Sequence, residues 1–208
     1  MRRPKTTEWM GVAFVGALAL VIPIIHLVAD PKEQLSLALR VTARWSFLWF
    51  WLASTGSALA TLFGPTFKGL AQRGRDFGLA FASAHLVHLG LVAWMLYRSG
   101  TPFPQSVPLL FGIGVVWVYL LALLSVRSLS AMLAPKIWRT LRIVGIEYIT
   151  FAFLVDFAKN PSERGLGHLV AYWPFLILTI AAPLLRLAAA AKRLSHPRAL
   201  TPDNSRLA

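Results

Sequence analysis

The sequence predicts an all-α membrane protein, a six-transmembrane-helix bundle with both termini in the cytoplasm. Two observations predict this fold class. Hydrophobic residues make up 57% of the 208 residues and charged residues only 14%, whereas a soluble domain of this length carries about 25% charged residues. The few charges are also spaced so that long uncharged runs lie between them. We therefore exclude an ordinary soluble domain and a disordered chain.

Five uncharged runs are each long enough to cross the hydrocarbon of a bilayer, which takes about 20 helical residues. A sixth and weaker span contains Glu147. The predicted spans form one membrane domain over residues 1–194, and a flexible cytoplasmic tail follows over 195–208. The spans are expected at about 9–29, 45–65, 77–97, 107–126, 141–157 and 166–186. The first run is longer than the apolar core of a signal peptide, so we interpret it as a retained span.

The basic residues are distributed unevenly between the two sides of this six-span arrangement. Of the 21 Lys and Arg residues, 15 fall in segments on one side and 6 on the other. Positive loops stay in the cytoplasm, which predicts a multi-pass protein of the cell inner membrane. The net charge of +13 is thereby explained by topology, so the bilayer is an expected partner and nucleic acid is not.

Several kinds of site are absent from the sequence. There is no cysteine, which excludes disulfides, thiolate zinc sites and cysteine-held iron–sulfur clusters. No Walker loop and no dinucleotide-binding glycine pattern occurs. We therefore predict no flavin or nicotinamide site and assign no catalytic residue within this chain.

Ionisable side chains well inside predicted spans are candidates for function, and we single out His85, His88 and Glu147. His85 and His88 are three residues apart in the third span and share a helix face, where imidazole either ligates haem iron or bonds a neighbouring helix. Glu147 must be paired or protonated at its depth. Its predicted partner is Arg142 or an arginine of a neighbouring helix, and a proton-relay or redox-linked carboxylate is the functional alternative.

The order of several motifs resembles the ferric-reductase-like transmembrane domain family, which includes the membrane part of NADPH oxidases and the haem-binding membrane subunit of bacterial methionine sulfoxide reductase. The segment from Arg73 to His88, RGRDFGLAFASAHLVH, is similar to the basic loop and the helix that ends in the family's haem histidine. Residues 138–141, WRTL, resemble the entry to its fifth span, and residues 172–186 resemble its sixth.

This resemblance implies a b-type haem with His88 as iron ligand and His85 second. It also implies transmembrane electron transfer, a partner redox subunit and a quinone as a possible electron donor. One residue differs from the family pattern and argues against a bound haem. The family has a histidine directly after Trp-x-x-Leu, and this chain has Arg142 at that position. Two hypotheses follow: an electron-transfer subunit with b-haem, or a haem-free relative that serves as an accessory subunit of a larger membrane complex.

Overall fold

The computed structural model describes residues 5–99, 106–125, 129, 132–158 and 166–195. Within these ranges the regular secondary structure is helical and no strand occurs, which confirms the predicted all-α class. A 3₁₀ turn over Pro65–Phe67 connects the second and third helices. The α-helices are α1 (Thr6–Leu27), α2 (Pro31–Phe63), α3 (Lys68–Gln72), α4 (Gly74–Ser99), α5 (Ser106–Leu124), α6 (Pro135–Ala158) and α7 (Leu166–Ser195).

Four of the described helices are long and apolar enough to cross a membrane. They are α1, α2, α4 over Gly74–Arg98 and α7 over Ala171–Ser195, and α5 adds a shorter apolar helix over Leu109–Leu124. Helix α6 covers the predicted fifth span but is not among the four. The chain is therefore an apolar helical protein suited to several membrane crossings, and the count of six spans stays a prediction.

Helix α2 is much longer than the predicted span at 45–65. Asp30 caps its first turn by accepting hydrogen bonds from the backbone N–H groups of Lys32 and Glu33, and Pro31 occupies the first helical position. Both are strong start signals, since the cap satisfies free N–H groups and proline has none to leave unpaired. The 33 residues extend roughly 50 Å, beyond the roughly 30 Å of bilayer hydrocarbon.

The helices pack around a core of aromatic side chains. Helices α1, α2 and α4 contact one another, α7 contacts α2 and α6, and α5 contacts α6. Phe47 of α2 lies edge-on to Phe153 of α6 at 5.0 Å between ring centroids, and Phe50 packs against Phe81 of α4 at 5.2 Å. These rings are buried, so the aromatic core joins α2, α4 and α6.

Three hydrogen bonds show which helix ends lie together. Thr6 at the start of α1 donates to Asp76 at the start of α4 (2.7 Å), and Arg75 donates to the carbonyl of Ser125 just after α5 (2.8 Å). Lys192 near the end of α7 donates to the carbonyl of Leu62 near the end of α2 (3.2 Å). We call this the basic end of the bundle, because it carries most of the arginines discussed below.

Candidate functional site

The two predicted haem histidines lie side by side on α4. The rings of His85 and His88 stack with centroids 5.4 Å apart and planes inclined by 24°. Nδ1 of His88 lies 3.0 Å from the hydroxyl of Thr42 on α2, and that hydroxyl lies 2.8 Å from the carbonyl of Ala38. Since the hydroxyl has one proton and donates it to the carbonyl, the His88 ring donates to Thr42. His88 thus forms an interhelical hydrogen bond.

The described side chains do not fit a b-haem held by two histidines. Such a haem takes its ligands from opposite faces of the iron, whereas His85 and His88 are neighbours on one helix face. His26 is exposed at the end of α1, and the side chain of His168 and all of His196 lie outside the described part. Arg142, at the family's histidine position, has no lone pair to offer iron.

Glu147 forms an ion pair, but with a different arginine from the one named first. Arg186 of α7 donates from Nε to Oε1 (2.9 Å) and from Nη2 to Oε2 (2.8 Å) of Glu147. Of the two partners that the sequence left open, the structure places the arginine of a neighbouring helix, and not Arg142, beside Glu147. Residues five apart on one helix lie on different faces, so the partner comes from the adjacent helix. The Glu147 side chain is also 48% exposed, less buried than expected.

Glu147 faces a cavity of about 610 Å³ near the basic end of the bundle. Helices α2, α4, α5, α6 and α7 all contribute to its wall. Among the described residues, the charged side chains that line it are five arginines and a single carboxylate: Arg75, Arg139, Arg142, Arg186, Arg193 and Glu147. We call it the arginine cavity. The balance of charge along its wall is strongly positive, which favours anions.

The five arginines differ in whether their N–H groups form hydrogen bonds with described residues. Arg193 donates to the hydroxyls of Ser57 (3.1 Å) and Thr61 (2.7 Å). Arg139 and Arg142 are exposed and form no hydrogen bond or ion pair within the described part of the chain.

Arg186 also has a nitrogen, Nη1, whose N–H groups find no hydrogen-bond acceptor among the described residues. This nitrogen is buried. Buried N–H groups in folded proteins nearly always have a partner, so this donor requires an acceptor from outside the described residues, either an ordered water or a bound molecule.

The inner wall of the arginine cavity is apolar. Its partly exposed apolar side chains are Leu121, Trp138, Ile143 and Ile146, and the buried side chains of Phe50, Phe81, Val118 and Ile149 also contribute to it. His85 and His88 do not line it, although His85 lies one helical turn beyond Phe81. The site therefore combines an apolar floor with a cationic rim, and it is separate from the histidine pair.

The sequence analysis placed Arg142 and Glu147 in a site but treated Arg75, Arg139, Arg186 and Arg193 as topological charges only. The type of these basic residues, arginine and not lysine, is the feature of the sequence that fits a role in the cavity. Lys68, Lys136 and Lys192 do not line the cavity, and every cation that does is an arginine. Arginine is the side chain suited to planar, two-point recognition of oxyanions.

Comparison with protein-family models, curated proteins and solved structures finds no match for this chain. Among the described residues no group of three or more His, Cys, Asp or Glu side chains is placed to hold a metal ion. The site must therefore be interpreted from its own geometry.

Proposed function

We propose that this chain is a multi-pass protein of the inner membrane that binds an anionic ligand in the arginine cavity, as a haem-free relative of the ferric-reductase-like group. The observation that supports the proposal is the set of five arginines around one carboxylate, with Arg139 and Arg142 unpaired among the described residues. Cations held close together repel one another, and an anion between them converts that repulsion into attraction. We also propose that the chain serves as an accessory subunit of a larger membrane complex.

The side of entry follows from the charge distribution. The arginine cavity lies at the basic end of the bundle, near the starts of α4 and α6 and the ends of α2, α5 and α7. The positive-inside rule places that end in the cytoplasm. The ligand then enters from the cytoplasm or from the inner leaflet.

Thermal unfolding in a neutral detergent tests the proposal with pyrophosphate as the probe. A ligand present at ten times its Kd stabilises the folded state by about 1.4 kcal/mol, which raises Tm by roughly 3–6 °C for a chain of this size. Lysine hydrochloride at the same ionic strength is the control for salt effects. Equal Tm values in the two solutions would refute anion binding.

A double variant locates the effect. Arg139→Gln/Arg142→Gln removes the two arginines without partners and breaks no described hydrogen bond, so the fold should survive while the pyrophosphate effect is lost. Arg40→Gln/Arg98→Gln is the matched control, because both arginines lie toward the opposite end of the bundle. The control should keep the full pyrophosphate effect.

The electron-transfer subunit is the second candidate function. The Thr42–His88 hydrogen bond favours it, since metal-binding histidines are commonly fixed through their other ring nitrogen. An absorption spectrum of protein produced with ample haem precursor tests it. A Soret band that disappears in His88→Ala would establish haem binding, whereas colourless protein would exclude it. Arg142→His is the companion variant, because a gain of haem there would identify the vacated ligand position.

A further inference from the structure

We infer that the anion taken by the arginine cavity is a phosphate group carried on an apolar chain, which is the chemistry of an anionic phospholipid of the inner leaflet. The inference rests on the proposed function and specifies its ligand. In this arrangement the phosphate lies among the arginines, and an acyl chain covers the apolar floor where its side chains are still partly exposed, at Leu121, Trp138, Ile143 and Ile146.

The type of cation indicates phosphate. A guanidinium presents parallel N–H donors that match two oxygens of a phosphate or carboxylate, whereas an ammonium acts as a point charge. Among the described residues the cavity is lined by five arginines and by none of the lysines of the same end, which are Lys5, Lys68, Lys136 and Lys192. Glu147 already occupies two donors of Arg186. The buried Nη1 of Arg186 is left over, and a phosphate oxygen supplies the acceptor it lacks.

The size and floor of the cavity indicate an attached apolar group. A volume of about 610 Å³ falls in the range of pockets that enclose a drug-sized ligand. A bare phosphate would leave most of that volume to water. Water against an apolar wall is unfavourable, so a ligand that also covers the floor binds more tightly than phosphate alone.

The packing of the helices provides a route from the cavity to the bilayer. Helices α4 and α5 both line the cavity, yet they contact each other through only a few residues in the part of the chain described. Arg75 and the Ser125 carbonyl bridge them at the basic end, and the Tyr119 hydroxyl of α5 donates to the Ala82 carbonyl of α4 further along. A lipid chain that leaves the cavity between these two bridges would stay in hydrocarbon. Basic pockets between transmembrane helices on the cytoplasmic side are a recurrent kind of phospholipid site.

Native mass spectrometry of the full chain in a neutral detergent tests this inference. The probe is dioleoylphosphatidic acid, and dioleoylglycerol is the control because it has the same chains without phosphate. We expect one retained phosphatidic acid per chain, with at least tenfold less dioleoylglycerol. Arg139→Gln/Arg142→Gln should reduce the phosphatidic acid adduct about tenfold, and Arg40→Gln/Arg98→Gln should leave it unchanged.

The outcomes separate this inference from the proposed function. An adduct equally abundant in both double variants would place the lipid elsewhere and overturn the inference. If phosphatidic acid is not retained but pyrophosphate still raises the Tm of the wild type and not of Arg139→Gln/Arg142→Gln, the ligand is a soluble phosphate compound. The lipid inference is then wrong and the proposed function stands. If neither probe binds, both are wrong.

Discussion

Glu147 and Arg186 form the polar centre of the arginine cavity at the scale of single residues. The carboxylate holds two donors of the guanidinium, and Arg186 also lies 3.4 Å from the hydroxyl of Thr150. The pair is only partly withdrawn from solvent, with exposed side-chain fractions of 18% for Arg186 and 48% for Glu147. Exposed pairs contribute little to stability, about 1 kcal/mol or less. Their main effect is therefore on the charge of the cavity.

Glu147→Gln removes the carboxylate that competes with an incoming anion for Arg186. We expect anion affinity to rise several-fold and the Tm without ligand to fall by no more than a few degrees. A pyrophosphate titration followed by thermal unfolding measures both quantities. Arg186→Gln serves as the opposite change and should weaken binding. Weaker binding in Glu147→Gln would show that the carboxylate helps to position the ligand instead of competing with it.

The pairing of Glu147 could be predicted from the sequence, but the identity of its partner could not. The free-energy cost of burying a charged carboxylate requires a cation near it when it lies inside a predicted span. Which cation comes near depends on how α6 and α7 cross, and spacing along the chain favoured the sequence neighbour Arg142. Arg186 was counted among the cytoplasmic charges at the end of the last predicted span, whereas α7 continues as a helix to Ser195 and carries Arg186 inside the bundle.

Helices α5 and α6 cross closely at Gly145, which sets the position of the cavity wall at the scale of elements. A Cβ atom at Gly145 would lie 2.8 Å from Cδ1 of Leu121 and 2.8 Å from Cε3 of Trp117. Such distances are shorter than van der Waals contact, so only glycine fits without movement. The crossing positions Leu121 of α5 and Ile146 of α6, which both line the arginine cavity.

Gly145→Val should therefore separate α5 from α6. Overpacking of a close contact costs about 1–3 kcal/mol, so we expect a clear decrease in Tm. Gly112→Val is the matched control, because Gly112 lies on α5 and a Cβ atom added there would meet no described atom within 4 Å. Thermal unfolding of both variants in detergent measures the difference. Equal Tm values would mean that the helices cross differently from the arrangement described.

The lengths of the helices show what uncharged runs can and cannot predict. The ends of α1 and α4 lie within a few residues of the predicted spans, since these helices end near their flanking charges. The uncharged runs missed the first half of α2, because residues 31–44 include Lys32, Glu33, Arg40 and Arg44. A helix can continue beyond the hydrocarbon with charged residues, because its backbone hydrogen bonds are the same there. Uncharged runs therefore do not show its full length. The Asp30 cap and Pro31 are the signals that predict the start of α2.

The whole molecule presents its arginine cavity at one end of the bundle, so its topology decides which ligands reach it. The six-span prediction places the starts of α1 and α4 in the cytoplasm. Reporter fusions after Arg75 and after Arg198 should both report the cytoplasm, and a fusion after Arg98 should report the opposite side. An external signal after Arg75 would place the cavity mouth outside and contradict the proposed route of entry.

The positive potential of the arginine cavity is the central claim at the scale of the whole molecule, and it can be measured directly. The chain has no cysteine, so Ser57→Cys introduces a single thiol on the cavity wall, where Ser57 is exposed. Each net positive charge about 10 Å away favours an anion by about 0.4 kcal/mol in water. The net positive charge of the wall should therefore concentrate anions about tenfold.

The measurement compares the rates at which Ser57→Cys reacts with an anionic sulfonatoethyl and a cationic trimethylammonioethyl methanethiosulfonate, each normalised to a free thiol in solution. We expect the normalised ratio to favour the anionic reagent about a hundredfold, because the potential that concentrates the anion about tenfold depletes the cation about tenfold. The ratio should fall to about tenfold when Arg139→Gln/Arg142→Gln removes two of the four net positive charges of the wall. Adding Arg40→Gln/Arg98→Gln should leave it unchanged. A ratio of one in Ser57→Cys itself, or a ratio unaffected by loss of Arg139 and Arg142, would contradict an anion-binding cavity.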